Sequence, residues 1–243
     1  MTRIDAHFVA AGKYHDIDFA RLELLKLIAE HPHIRTTVAT DYCDLARLEA
    51  CTLLISYTCD VLPSPVETAA IKRWLERGGR WLALHGTNSI LEFTTDGVAT
   101  PDHRPDLMEL LGTQFKAHPP IGPFPVEVVE RDHPLTTGID DFEVVDELYL
   151  SVTRAPIRTL LRTRFAGEAT GFVDAEWPET EVPILYLRDI GGGQILYNTL
   201  GHCRGHYDLP TMVPFLSHPE RCAWNYPVYY ELLRRGLRWA MGN

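Results

Sequence analysis

The residues best placed to do chemistry in this chain are histidines at the ends of apolar, strand-like runs. Arg80-Trp81-Leu82-Ala83-Leu84 is one such run, and it passes directly into His85-Gly86-Thr87-Asn88. A buried strand entering a small-residue turn has the shape of a nucleophile elbow, but such elbows present Ser or Cys between glycines; here the position carries His85 with one flanking Gly. Covalent acyl chemistry is therefore disfavoured, and an imidazole there serves as general base, general acid or metal ligand. A histidine held beneath a helix N-terminus for structure alone is the competing reading. Thr87 and Asn88 are candidate substrate contacts, with N-capping of a following helix as the plainer role. His15 and Tyr57, both candidate substrate contacts, Asp60, and His202 also lie at or just after the ends of strand-like runs. In open α/β sheets the ligand crevice lies beyond the carboxyl ends of the strands, so these positions carry functional weight together.

Glu147 is the carboxylate to add. In Asp146-Glu147-Leu148-Tyr149 neighbouring side chains alternate faces, so only one of the two acids can face the crevice. A carboxylate beside imidazoles either orients one of them as a base or joins them around a divalent metal, with His85, Glu147 and His202 as the candidate ligands. Zinc or manganese suits mixed nitrogen and oxygen donors, although no H-E-x-x-H spacing is present. His118, where the chain leaves a strand-like run, lines the same crevice or stays on the surface. Arg204 and His206, close behind His202 and beside Tyr207, are candidate contacts to substrate hydroxyls or carboxylates. Cys203 abuts His202 but faces the other way on an extended chain and reads as buried and inert. His133-Pro134 reads as a turn, and His31, His33, His103 and His218 as surface or cap residues.

The elements that position these groups alternate. Ala6–Ala11, Ile34–Ala39, Thr52–Tyr57 and Trp81–Leu84 read as strands, separated by a helix through Phe19–Ile28 and another opened by Ser64-Pro65 with Glu67 three residues on. Strands this apolar want a parallel sheet covered on both faces, so the expected architecture is a doubly wound α/β fold. After Gly112 the segments around Val126–Val129, Val144–Leu150 and Arg158–Phe165 suggest an antiparallel or mixed extension of the same sheet. Pro183–Arg188 and Gln194–Thr199, joined through Gly191-Gly192-Gly193, form a hairpin signal, and Val228–Ala240 closes the chain as an amphipathic helix. That helix packs on its own sheet or on a second copy of the chain.

Composition bounds the function classes. The 243 residues are 45% hydrophobic, with 23 Lys+Arg against 33 Asp+Glu and a net charge of −10. An acidic chain without a basic run is poorly suited to nucleic acid. Five cysteines without a C-x-x-C pair give neither a disulfide framework nor a zinc-ribbon spacing. No run reaches the length of a membrane-spanning helix, and the N-terminus lacks a continuous apolar stretch, so a cytoplasmic protein of one domain over residues 1–243 is expected.

Several motifs carry a family resemblance. The run His133-Pro134-Leu135-Thr136-Thr137-Gly138-Ile139, Asp146-Glu147-Leu148-Tyr149, Pro183–Arg188 with Gly191–Gly193, and Tyr197-Asn198-Thr199-Leu200-Gly201-His202 resemble ThuA-like (trehalose-utilisation) proteins. So do Gly12-Lys13-Tyr14-His15-Asp16 and Gly78-Gly79…His85, so that the resemblance spans nearly the whole chain. It implies the flavodoxin-like fold of class I glutamine amidotransferases, with His85 where those enzymes carry cysteine and His202 near their catalytic histidine. With that cysteine replaced, glutaminase chemistry is not carried over. The resemblance implies instead a role in sugar metabolism, often beside dehydrogenases that make keto-sugars.

Two functions follow as expectations. The first is an enzyme acting on an oxidised sugar or glycoside, in which His85 or His202, tuned by Glu147, removes a proton beside a carbonyl or activates water. The second is a sugar- or partner-binding module that uses Tyr14, Tyr57, Trp177 and Tyr207 as stacking surfaces. An enzyme requires His85, Glu147 and His202 to converge; a binder does not.

Overall fold

The computed structural model describes residues 3–205 and 218–242. Its strands are β1 (Ile4–Gly12), β2 (Ile34–Ala39), β3 (Leu53–Cys59), β4 (Arg80–Leu84), β5 (Glu92–Thr94), β6 (Gly97–Ala99), β7 (Thr113–Ala117), β8 (Gly122–Val128), β9 (Phe142–Asp146), β10 (Leu150–Thr153), β11 (Arg158–Glu168), β12 (Glu176–Ile190) and β13 (Gly193–Asn198). The helices are α1 (Ile17–Ala29), α2 (Leu45–Ala50), α3 (Pro65–Glu76), α4 (Pro105–Leu111) and α5 (Pro227–Ala240).

A nine-stranded sheet in the order β2-β1-β3-β4-β13-β12-β11-β8-β9 forms the centre. The first five strands in that order run parallel and the remaining four pair antiparallel. The expected doubly wound half and its antiparallel extension are thus one sheet. Side-chain alternation splits the core between the two faces. Phe8, Ala10, Leu53, Ile55, Leu82 and Leu84 pack with Leu24 and Leu27 of α1 and Leu233 and Leu237 of α5. Val9, Leu54, Trp81 and Ala83 pack with Ile71 and Trp74 of α3 and Leu107 and Leu111 of α4. Burying each such aliphatic side chain contributes about 1.5–3 kcal/mol before conformational entropy is set against it. Helix α3 starts as its sequence dictates: Pro65 opens it, Ser64 accepts from the Glu67 N–H, and the Glu67 carboxylate accepts from the Ser64 N–H.

The parallel register brings the carboxyl ends level. Gly12 pairs with Cys59, Tyr57 with Leu84, and Leu84 with Asn198. Gly12 is required there: its φ is +130°, and a Cβ would lie 2.2 Å from the Cys59 carbonyl oxygen.

Three local differences matter. No α-helix follows His85; a single 3-10 turn, His85–Asn88, leads into the two-stranded β5–β6 hairpin. Asn88 is therefore no helix cap: its N–H donates to the Tyr197 hydroxyl and its side chain to Thr113 Oγ1. Helices α2 and α4, of 6 and 7 residues, are too short to show a periodic apolar face in sequence. The His133–Ile139 motif is a turn, as expected. Its His133 Nδ1 accepts from the Leu135 N–H and buries Leu135, remote from the carboxyl ends of the parallel strands. No helix among the described residues is long and apolar enough to cross a membrane.

Candidate metal and substrate site

Five side chains delivered by strand ends meet beyond the carboxyl edge of the sheet. His15 follows β1, His85 follows β4, His118 follows β7, Glu147 follows β9 and His202 follows β13. Local backbone aims them. His85 has φ +44° and Tyr14, beside His15, has φ +65°, both in the left-handed region that non-glycine residues seldom occupy. Gly86 makes the turn possible, since a Cβ there would lie 2.7 Å from the Thr58 carbonyl oxygen. Asp16 caps α1 by accepting from the Phe19 N–H, and this fixes the residue after His15.

The Asp146–Glu147 pair resolves by alternation. Asp146 points back under the β13 loop, where its carboxylate accepts from the backbone N–H groups of Gly201, His202 and Glu147. Glu147 points the other way, into the histidines. Its Oε2 lies 3.2 Å from His202 Nδ1, 3.6 Å from His85 Nε2 and 3.9 Å from His15 Nε2. Its Oε1 faces His118 Nε2 at 3.2 Å and the Arg204 guanidinium at 3.8 Å.

The outer nitrogens of the three inner imidazoles are all engaged. His15 Nδ1 lies 3.0 Å from the Lys13 carbonyl oxygen and His85 Nδ1 lies 2.9 Å from that of Thr199. A carbonyl only accepts, so each Nδ1 carries the proton and each Nε2 presents a lone pair when the ring is neutral. These two Nε2 atoms stand 2.8 Å apart, a contact that needs a proton or a cation between them. His202 Nε2 is held by Glu220 Oε2 at 3.1 Å, while its buried Nδ1, aimed at Glu147, has no aligned hydrogen-bond partner. One donor atom from each of His15, His85, Glu147 and His202 falls within 4.8 Å of all the others. This nitrogen-rich, buried set, each imidazole steadied by an acceptor behind it, fits a divalent transition metal.

The electrostatics agree with that geometry. Burial and the neighbouring imidazoles His85 and His202 push the His15 pKa well below its ordinary value. Burial alone would raise Glu147, but His202 and His118 outweigh it and hold the carboxyl well below the usual range. Burial would likewise lower His202; the carboxylates of Glu147 and Glu220 on either side prevail and raise it to about 9. A proton on His202 or a metal ion thus balances the buried Glu147 charge.

A cavity of about 370 Å³ opens beside this cluster. His15, His118, Glu147 and Arg204 form its polar floor, and Phe93, Phe115, Tyr149 and Phe172 belong to its walls. His85 and His202 are fully buried behind the floor and do not line it. Three expected substrate contacts lie elsewhere. Tyr57 is buried on the α1/α5 face of β3, with its hydroxyl donating to the Gly201 carbonyl at 2.8 Å. Thr87 turns inward to the Leu84 carbonyl, and Asn88 bonds Thr113. Trp177 sits on β12 against a separate hollow. His206 and Tyr207 lie outside the described residues.

Sequence reasoning missed Glu220 and the aromatic wall. Glu220 reaches His202 through an isolated bridge pairing with Arg204, and nothing local marks it. Neither cysteine beside the site offers a nucleophile: burial raises the Cys59 and Cys203 thiols, the latter to about 12.

Comparison with known proteins matches these features to a family. The sequence profile described as "ThuA: Trehalose utilisation" matches residues 8–240. Among solved structures, a protein described as ThuA-like from Bacteroides uniformis superposes with a TM-score of 0.67 at 17% identity, covering 98% of this chain and 91% of that one. A second, from Parabacteroides merdae, gives 0.63 at 13% identity and covers 100% and 91%. A protein described as a component of GMP synthase, from Thermoplasma acidophilum, gives 0.53 at 10% identity over 100% and 96%. At these identities the structural matches speak to fold, and they agree with an amidotransferase-like α/β sheet. Comparison with curated proteins gives no match. The profile spans nearly the whole sequence, and the chain belongs to the ThuA (trehalose-utilisation) family.

Proposed function

We propose that this chain is a metal-dependent enzyme acting on an oxidised sugar or glycoside, with His15, His85, Glu147 and His202 as metal ligands. The observation that carries the reading is the pair of Nε2 lone pairs 2.8 Å apart, with both ring N–H groups already committed to backbone carbonyls. Zinc and manganese both suit three imidazoles and one carboxylate. Such an ion, when bound, polarises a carbonyl or hydroxyl oxygen of the sugar.

The protein's own groups divide the remaining work. His85 and His202, sealed from the cavity, hold position rather than exchange protons with substrate. His118 lies on the cavity floor with Nδ1 directed at the Pro119 carbonyl oxygen, and its Nε2, beside Glu147 Oε1, is the nitrogen placed to exchange a proton with the sugar. Glu147 Oε1, 3.2 Å from that nitrogen, stabilises the imidazolium that results. Arg204, held by Glu220 at 3.3 Å, donates to substrate oxygens. A neutral sugar suits a floor whose cations are already matched by Glu147 and Glu220. Elimination, isomerisation and hydrolysis of a keto-sugar all use this set.

The test is a panel of 3-keto-glycosides followed by NMR with chelator-stripped protein, before and after restoring manganese or zinc. Turnover should appear only with metal and fall roughly 10²-fold in His118→Ala. Equal turnover in stripped and loaded protein would overturn the metal reading.

A further inference from the structure

The cavity is polar at one end only. Beyond the floor its surface is Leu91, Phe93, Val98, Phe115 and Phe172, with the Tyr14 and Tyr149 rings beside them. Two separate chain segments are tied together to make this wall. The β5–β6 hairpin is joined to the Phe172 loop by the Val98 N–H donating to the Gly171 carbonyl at 2.8 Å and the Val173 N–H donating to the Val98 carbonyl at 3.0 Å. Phe172 meets His118 edge-on at 4.8 Å and Phe115 at 5.8 Å between centroids, and Phe93 meets Tyr14 at 5.7 Å. Yet Phe93 remains 70% exposed, the most exposed large apolar side chain among the described residues. The hairpin gains little by folding it against the protein, so its ring is free to receive a ligand.

We infer that the substrate is a glycoside with an aromatic aglycone, its sugar on the polar floor and its aryl ring between Phe93 and Phe172. This rests on the sugar reading proposed above and extends it outward along the cavity. Hydroxyls of the inner ring find Arg204, His118 and Glu147 there. A second sugar at the mouth would bring further hydroxyls to a wall whose side-chain polar atoms, among the described residues, are the Tyr14 phenol and the buried Tyr149 phenol and Cys59 thiol, and unpaired polar groups are costly to bury. A flat apolar ring meets the same wall without that cost, and edge-to-face packing on phenylalanine adds to its burial.

The experiment measures binding of matched methyl and phenyl glycosides of glucose, galactose and mannose, both anomers, to the metal-loaded protein by calorimetry. At least one phenyl glycoside should bind about tenfold or more tightly than its methyl partner, and Phe93→Ala should bring that ratio below about threefold. Equal affinities throughout, no binding by any phenyl glycoside, or an undiminished ratio in Phe93→Ala would each overturn the inference. Metal content, measured on the same samples, separates the two readings: a phenyl preference in protein that takes up no metal would sink the metal assignment and leave the aryl subsite standing.

Discussion

Glu220 offers the sharpest perturbation, because it touches the cluster from outside and contributes no donor to it. Its Oε2 stands 3.1 Å from His202 Nε2 and 3.3 Å from the Arg204 guanidinium, and its side chain is 28% exposed, so substitution leaves no sealed void. As the acceptor behind an imidazole proposed to bind metal, it fixes which nitrogen carries the proton and raises the basicity of Nδ1. Loss of such a partner costs about 10–100-fold in metal affinity, or about 1.4–2.7 kcal/mol at roughly 1.36 kcal/mol per decade. Glu220→Gln keeps an acceptor oxygen and loses the charge, which puts it near the tenfold end. Glu220→Ala loses both and lies near the hundredfold end. Isothermal titration of chelator-stripped protein with manganese or zinc reads the difference. A Kd for Glu220→Ala within twofold of the parent would refute the role given to Glu220 and weaken the case that His202 binds metal through Nδ1.

Other perturbations probe the frame around the site. Asp146→Asn leaves Oδ1 to accept from the His202 and Glu147 N–H groups but puts an amide NH2 where Oδ2 accepts from the Gly201 N–H, and should cost about 1–3 kcal/mol in chemical denaturation, with weaker metal binding; unchanged stability would show that another group holds the β13 loop. Tyr57→Phe deletes a hydroxyl whose acceptor, the Gly201 carbonyl, keeps the Trp224 indole N–H. The expected loss is therefore about 0.5–1 kcal/mol, a melting shift of a few degrees, with KM unaffected; a raised KM at normal stability would place Tyr57 in the substrate site after all. Gly86→Ala forces a Cβ to within 2.7 Å of the Thr58 carbonyl oxygen and should destabilise by about 1–3 kcal/mol while displacing His85; a melting temperature equal to the parent's would show that the elbow has slack.

Much of this site was legible because parallel strands declare themselves. Their continuous apolar runs mark where each strand stops, and the next polar residue then lies at the crevice by topology, which is how His15, His85 and His202 could be named together. Alternation narrowed Asp146 and Glu147 to one; only the three-dimensional position of the Gly201 loop, which claims Asp146, decides between them. Tyr57 misled because the residue two before the end of a strand looks like a rim position, whereas the side chain follows Ile55 onto the buried α1/α5 face. The aromatic wall could not be read at all. Phe93 and Phe172 are far apart in sequence, and the hairpin that joins their loops stands where a helix was expected, since Leu91–Thr94 is too short a run to reveal its period. Glu220 is a lone carboxylate before Arg221, with no spacing to tie it to His202.

Everything proposed for the floor of the cavity depends on a metal among His15, His85, Glu147 and His202. Elemental analysis of the purified protein, followed by titration of the stripped protein with manganese and zinc, addresses this directly. The prediction is one ion per chain in the parent and less than about a tenth of that in His85→Ala and His202→Ala variants that remain folded by circular dichroism. A parent protein that takes up no metal, or variants that bind it as the parent does, would contradict the assignment.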